Sequence, residues 1–220
     1  MSVRTTFEHE LIELNLEIIK MGSLIEEAIE NSILAFKNRD ETLAKQVIKG
    51  DCEIDDTEKQ IEARCLRLIL RQQPVAKDLR IISTAQKIIT DMERIGDNAE
   101  DIARISIGIK GAYAFEMVKH IPAMSETAIE MVHDSLNAFV NRDLELAEIT
   151  IKKDDVVDNL FCEVKADLAQ ILRENKDEDS NIMDFLLIAK YLERIADHAV
   201  NICEWVEFSK TGEHKNNKIL

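Results

Sequence analysis

Apolar residues recur at intervals of three and four along most of the chain, which is the spacing of one face of an α-helix. The clearest stripe has isoleucine at every seventh position: Ile81, Ile88, Ile95 and Ile102. A second stripe beside it keeps a strict three-four spacing and consists of Ile82, Ala85, Ile89, Met92, Gly96, Ala99 and Ala103. Heptads of this length predict long antiparallel helices that cross at small angles and bury both stripes in a core.

Polar breaks divide this pattern into six predicted helices. The breaks up to the midpoint lie at 38–40, 72–74 and 108–111, and two more divide the second half. We expect Pro74 in the first turn of the third helix, where its missing N–H costs nothing. The predicted helices span residues 8–37, 41–71, 74–107, 116–140, 144–174 and 180–208. The residues that follow are polar, and we expect them to fray.

The second half of the chain repeats the first. Nine residues return 103 positions later: Ser32, Ala35, Phe36, Asn38, Arg39, Asp40, Leu43, Ala44 and Lys49 become Ser135, Ala138, Phe139, Asn141, Arg142, Asp143, Leu146, Ala147 and Lys152. The offset then falls to 100, and segment 91–102 returns as 191–202. The repeat predicts an all-α fold of two pseudo-symmetric three-helix bundles, residues 1–108 and 112–210, with a polar tail at 211–220.

Composition narrows the class of protein. The chain has 220 residues, of which 45% are hydrophobic, and a formal net charge of −15. It can therefore bury a core, but its field repels nucleic acid and anionic lipid. We expect neither a transmembrane helix nor a signal peptide, because no sufficiently long apolar stretch occurs. Four scattered cysteines without a CxxC pair suit a reduced, cytoplasmic protein.

Paired carboxylates are the candidate chemistry. Glu93 and Asp97 stand four residues apart and return as Glu193 and Asp197. Such pairs share one face of a helix, where like charges destabilise it unless a cation compensates. Other acids on these faces are lost in the second half, so we assign them no role. The residues retained as candidate metal ligands are Asp51, Asp55, Glu93, Asp97, Asp101, Asp154, Asp158, Glu193, Asp197 and Asn201.

Oxygen-only clusters of this kind suit hard cations such as Mg²⁺, Ca²⁺ and Mn²⁺, and iron also fits. The alternative is that the acids form salt bridges with neighbours such as Lys49, Arg94 and Arg194. The two arginines project about 100° away from the acids on the helix, so we expect them to be poorly placed to neutralise both. The residues alone leave both interpretations open.

The sequence offers no catalytic constellation. A ferritin-like di-iron site needs Glu-x-x-His on each of two helices, and the chain has one such motif, Glu130 and His133, whose repeat lacks the histidine. No Gly-rich phosphate loop and no nucleophile–base arrangement occur. We expect a protein that is not an enzyme. The alternatives kept are a ferritin-like di-metal carboxylate oxidase or ion-storage protein, and a helical scaffold whose acids serve solubility.

Two segments resemble the signatures of a known family. Residues 73–80 and 91–97 are similar to the first signature of the PhoU phosphate-signalling regulators, and residues 192–199 to the second. The ends at 204–206 and 211–213 also resemble that family, so the resemblance covers essentially the whole chain. It implies a cytoplasmic protein of two three-helix bundles that accompanies the high-affinity phosphate ABC transporter.

The resemblance also implies partners and metals. Family members link the transporter to a sensor histidine kinase and keep phosphate-starvation genes off when phosphate is ample. Their E(D)xxxD motifs bind iron or zinc clusters in some members and Mg²⁺ or Mn²⁺ in others, and they fall here on the four retained pairs. We expect the transporter ATPase and the kinase as partners, a homodimer, and no nucleic acid or membrane insertion. The second half lacks the segment at 74–80, and Asn201 replaces an acid, which could weaken the second site.

Overall fold

The computed structural model describes residues 3–75, 77–109, 118–174, 181–214 and 217–218. Six long helices account for most of them: α1 Val3–Asn38, α2 Glu41–Gln72, α3 Lys77–Gly108, α4 Ile121–Asn141, α5 Leu144–Glu174 and α6 Ile182–Thr211. Two short strands follow, β1 Glu213–His214 and β2 Asn217–Lys218, and they pair antiparallel with Glu213 opposite Lys218. The all-α architecture predicted from the heptads is confirmed.

The turn between the first two helices of each half is built in the same way. Arg39 adopts a left-handed φ of 56°, and Asp40 then caps α2 by accepting hydrogen bonds from two backbone N–H groups of its first turn at 2.9 and 3.0 Å. Arg142 has the same φ of 56°, and Asp143 accepts from the first turn of α5 at 3.0 Å. The repeated Asn-Arg-Asp sequence therefore encodes a repeated helix cap.

Helices α1, α2 and α3 pack against one another, as do α4, α5 and α6, which gives the two predicted bundles. The bundles join mainly through α3 and α6, which run antiparallel: Thr84 near the start of α3 donates to the carbonyl of Trp205 near the end of α6. The heptad isoleucines and the stripe beside them are buried, as predicted. One hydrophobic core runs through both halves, because α3 and α6 contribute to it from both sides.

An ion-pair cluster also fastens α2 to α1. Arg64 of α2 donates from Nε and Nη2 to the two carboxylate oxygens of Glu17 at 2.7 and 2.6 Å, and from Nη1 to Glu10 at 3.1 Å. Its side chain is only 22% exposed. Burial opposes the charge, but the hydrogen bond to Glu17 outweighs it and raises the pKa of Arg64.

The starts of two helices differ from expectation. Pro74 lies between α2 and α3 and does not begin a helix, because the residue before a proline disfavours right-handed helix and Gln73 turns into the left-handed region at φ 46°. Pro122 has the role expected of Pro74, in the first turn of α4. That helix begins at Ile121, after the turn at 118–120, and the expected start at residue 116 lies outside the described residues.

The polar tail also differs from expectation. Its backbone forms the β1–β2 pair directly after α6, so residues 213–214 and 217–218 are ordered by main-chain hydrogen bonds and not frayed. The division at 108 and 112 falls beside residues outside the described ranges and stays a prediction. None of the described helices combines the length and apolarity that crossing a bilayer would require.

Candidate metal centres

The first cluster of carboxylates lies between α2 and α3. Asp51 and Asp55 come from α2, and Glu93 and Asp97 come from the facing side of α3. Gly96 allows this close approach, because a Cβ there would lie 3.4 Å from Asp51 Oδ1. The same Cβ would lie 3.1 Å from two carbons of Ile54, so the helices meet at this glycine.

The electrostatics of Asp51 show that these acids share one field. Burial, followed by the charges of Glu100, Asp55, Asp97 and Glu93, raises the pKa of Asp51 from 3.8 to about 6. Burial and Asp97 likewise raise the pKa of Glu93. Raised values of this kind mean that burial, together with repulsion between the acids, disfavours the charged form of these carboxyls.

Arg94 contradicts one expectation. Its guanidinium pairs with both acids of the motif, with Glu93 Oε2 at 3.3 Å and with Asp97 Oδ2 at 2.9 Å. The long side chain curls back across the helix surface, so its direction at Cα does not limit its reach. The interpretation of the acids as salt-bridge partners is thus correct in part. About half of the Arg94 side chain remains exposed, and the pKa of Glu93 stays raised despite the pairing.

Two further acids belong to the first cluster and were missed from the sequence. Glu100 raises the pKa of Asp51, and Glu58, whose own pKa is raised first by burial, raises the pKa of Glu93. The comparison of the two halves excluded both acids from the candidate ligands, because their counterparts Phe161 and Val200 carry no charge. Their spacing could have found them, since each lies three residues beyond a retained acid on the same face.

The second cluster occupies the corresponding place between α5 and α6. Burial, followed by Asp197, Asp158 and Glu193, raises the pKa of Asp154 from 3.8 to about 6. Its Oδ1 is buried and has no hydrogen-bond partner among the described residues. A buried carboxylate oxygen without a donor is costly unless a cation or water satisfies it.

The helix contact beneath the second cluster is repacked. Val157 and Ala196 stand where the first half has Ile54 and Gly96. Both are fully buried. The smaller valine makes room for the alanine methyl, so the two helices still approach closely enough for their carboxylates to share a field.

The cations around the second cluster differ from those around the first. Lys190 pairs with Glu193, and its Nζ also lies 5.7 Å from the centroid of the Phe161 ring. Lys165 lies 4.5 Å above the same ring, where the first half has acids. Arg194 turns to Tyr191, 5.7 Å from its ring centroid. The second cluster therefore has fewer acids than the first, and the cations around it also lie against aromatic rings.

Asp101 and Asn201 make contacts across the α3–α6 interface. Asn201 donates to Asp91 at 3.4 Å, and His198 lies 2.9 Å from the same Asp91 oxygen. By pseudo-symmetry Asp101 accepts a hydrogen bond from Tyr191, whose pKa is raised by burial and by that acid. Both predicted ligands thus hold the bundles together, and either would have to leave this contact to join a metal.

The carboxylate oxygens of the two clusters are suitable ligands for a metal ion, but their present positions do not form a coordination site. Each cluster offers four carboxylates with raised pKa values among them, which suits a hard cation. Among the described residues, no three His, Cys, Asp or Glu side chains are arranged to hold an ion. Mutual repulsion separates carboxylates that lack a cation, so binding would have to draw the side chains together.

The ferritin-like motif does not form a site. Glu130 pairs with Lys153 at 2.7 Å, and His133 lies 3.0 Å from Glu26 of α1. The two side chains of the motif therefore bind different partners. This arrangement does not favour an oxidase or ion-storage function.

The fold and the sites define a class: a duplicated all-α protein with a carboxylate cluster at the corresponding place in each half. The family model described as the PhoU domain matches twice, over residues 18–106 and 121–206. The chain is 42% identical to the phosphate-specific transport system accessory protein PhoU homolog of Clostridium acetobutylicum, over 96% of each chain. It belongs to the PhoU family, as the resemblance of its signatures suggested.

Solved structures agree with this assignment. The crystal structure of PhoU from Pseudomonas aeruginosa is similar with a TM-score of 0.86 and 32% identity, over 94% of this chain and all of that one. The phosphate transport system regulatory protein PhoU from Streptococcus pneumoniae is similar with a TM-score of 0.87 and 28% identity, over 94% and 98%. The whole fold is therefore shared, and not one bundle alone.

Proposed function

We propose that this chain is an accessory regulator of phosphate-specific transport that acts in the cytoplasm without catalysing a reaction. The observation that carries the proposal is the match of the PhoU domain to both halves of the chain. The relatives that match over nearly its full length are named as accessory proteins of that transport system. In this role the chain contacts the ATPase of the phosphate ABC transporter and a sensor histidine kinase, and it assembles as a homodimer.

The proposed regulator binds metal ions on its two carboxylate clusters. Asp51, Asp55, Glu93 and Asp97 would hold the first site, and Asp154, Asp158, Glu193 and Asp197 the second. The ion is iron, zinc, magnesium or manganese. When bound, it supplies positive charge to a field that arginine and lysine leave partly uncompensated. The buried Oδ1 of Asp154 and the raised pKa values of Asp51 and Asp154 support this assignment.

The physical effect of these residues is on helix packing. Each cluster joins the second and third helix of its bundle, so neutralising its charge would stabilise that contact. Asp101 and Asn201 connect the clusters to the α3–α6 interface, since each lies one turn beyond a retained acid on its helix. A change at either cluster can thereby reach the contact between the bundles.

The transport role is tested in the host cell. Deletion of the gene should switch on phosphate-starvation genes in medium with ample phosphate, and the wild-type chain should restore repression. Affinity-tagged chain should co-purify the transporter ATPase and the kinase. Unchanged expression after deletion, together with no captured ATPase, would contradict the proposal.

Metal binding is tested by elemental analysis of protein purified without chelator. The pairs Asp51→Asn with Asp97→Asn, and Asp154→Asn with Asp197→Asn, should each remove the metal of one half. Asp56→Asn is the matched control, because this exposed acid lies on α2 outside the first cluster. Metal content that is equal in all three variants would show that the clusters hold none. Full partner binding after all four pairs are neutralised would favour the scaffold alternative.

A further inference from the structure

A cavity of about 200 Å³ lies between α1 and α2. Ala28 and Val47 form part of its apolar wall, Glu27 and Asn31 of α1 line its polar side, and Gly50 of α2 lies at its edge. A Cβ on Gly50 would meet nothing within 4 Å. A side chain added at this position would therefore extend into open space.

The second half shows what fills the corresponding place. The counterpart of Gly50 is Lys153, and those of Glu27 and Asn31 are Glu130 and Asp134. The ammonium of Lys153 lies 2.7 Å from Glu130 Oε1 and 2.7 Å from Asp134 Oδ2. Its side chain is only 24% exposed, so its methylene groups cover the helix contact while its charge is held by both acids.

The protonation of Lys153 fits this arrangement. Burial lowers the affinity of its amine for a proton, but the hydrogen bonds to Asp134 and Glu130 outweigh burial and raise its pKa. The second half of the chain thus contains a complete ammonium site with its own occupant.

The first half keeps the acceptors of this site and lacks the occupant. Among the described residues, neither Glu27 nor Asn31 has an ion pair or side-chain hydrogen bond. Ala28 also replaces the larger Met131 of the second half, which widens the apolar wall. An alkyl chain that ends in a positive group matches both parts of the cavity, because the wall is apolar and the acceptors lie at its edge.

We propose that the α1–α2 cavity binds a primary ammonium group on an alkyl chain, donated either by a polyamine or by a lysine side chain of a partner protein. The ligand takes the position that Lys153 occupies in the second half. Its ammonium donates to the Glu27 carboxylate and to the Asn31 carbonyl oxygen, and its methylene groups cover Ala28 and Val47. Neutral Asn31 makes this site weaker than its counterpart, and exposed Glu27 makes it sensitive to salt.

The proposal is tested by amide NMR titration of the full chain at constant ionic strength. The probes are n-butylammonium, butane-1,4-diammonium and the blocked peptide acetyl-Ala-Lys-Ala-amide, with n-butanol as the uncharged control. In the wild type, the charged probes should shift amides in segments 24–31 and 46–54, whereas n-butanol should not. Stronger binding of the diammonium favours a polyamine, and stronger binding of the peptide favours a partner's lysine.

Variants then distinguish binding in this cavity from nonspecific electrostatic binding of cations to an acidic protein. Gly50→Lys places an internal ammonium in the cavity and should weaken the probes at least tenfold, whereas Gly50→Ala should leave binding within twofold. Glu27→Gln should weaken binding at least fivefold, whereas Glu30→Gln, an exposed acid of the same helix outside the cavity, should not.

A gain of binding completes the test. Lys153→Gly empties the corresponding place in the second half and should create new shifts in segments 127–134 and 149–157. Equal binding by wild type and the Gly50→Lys variant, or shifts spread evenly over the acidic surface, would overturn the proposal. Should Gly50→Lys not fold, Glu27→Gln gives the same decision, since unchanged binding there also refutes it.

Discussion

Substitution of Asp154 by asparagine should make the metal-free protein more stable at neutral pH and remove part of its pH dependence. The carboxyl holds its proton more tightly in the folded state, where burial and neighbouring acids raise its pKa to about 6, than in the unfolded state at 3.8. The contribution of Asp154 to the free energy of unfolding should therefore fall as pH rises from about 4 to about 6. This direction is opposite to that of an ordinary salt-bridged carboxylate.

The magnitude follows from the two pKa values. A rise from 3.8 to about 6 corresponds to at most about 3 kcal/mol. Asp154 is only partly buried, and solvent screens its neighbours, so we discount this figure to about 1 kcal/mol. Well below pH 3.8 the carboxyl is neutral in both states, so variant and wild type should differ little there, and the difference should still be small at pH 4.0. Above pH 6 the variant should be more stable by about 1 kcal/mol.

The assay is urea unfolding of metal-free protein, followed by circular dichroism, at pH 4.0, 5.0, 6.0 and 7.5. The difference between variant and wild type is the measured quantity, because carboxylates outside the second cluster titrate equally in both. Asp56→Asn is the control, since it removes an exposed acid of α2 whose charge is not among those that raise the pKa of Asp154. A variant that is less stable than wild type at pH 7.5, or a difference that does not change with pH, would refute the reasoning.

Other substitutions test the packing and the capping of the helices, each by urea unfolding at pH 7.5. Ile54→Val should lower the free energy of unfolding by about 1 kcal/mol in the wild type. It should lower it by less in a Gly96→Ala background, because the smaller valine makes room for the alanine methyl group. Equal losses in the two backgrounds would exclude this coupling. Arg64→Ala should cost about 2 kcal/mol, and Arg64→Lys should restore little, because an ammonium lacks the planar fork that binds both oxygens of Glu17. Full restoration by lysine would contradict this. Asp40→Ala and Asp143→Ala should each cost about 1 kcal/mol and add when combined, since each removes a helix cap in a different half.

Much of the candidate site could be predicted because duplication preserved it. The pairs at 51/55 and 93/97, with their counterparts, come together between neighbouring helices as expected from their spacing. The same comparison of halves that identified the pairs overlooked Glu58 and Glu100, because neither acid is repeated. A comparison of halves detects what both clusters share and cannot detect an acid that only the first cluster has. Arg94 was misjudged because the direction of a residue on a helix does not limit a side chain with four rotatable bonds.

Helix ends were less predictable than helices. The heptads fixed six helices because burying an apolar stripe is a property of the sequence repeat itself. The start of α3 depends on how Gln73 and Pro74 resolve a local steric conflict, which a periodic pattern does not contain. The β1–β2 pair depends on hydrogen bonds between backbones, which polar composition does not reveal.

By itself the sequence determined that the chain forms six amphipathic helices in two related halves with a pair of acids on each of four helices. Periodicity and repetition are local or one-dimensional, so they can be read without coordinates. The tertiary structure alone decided which charges share a field, because only packing brings Glu58 to Glu93 or turns Asn201 toward Asp91. It also showed that Lys153 fills a site whose counterpart beside Gly50 is open, since a cavity is a property of neighbouring helices and not of either one.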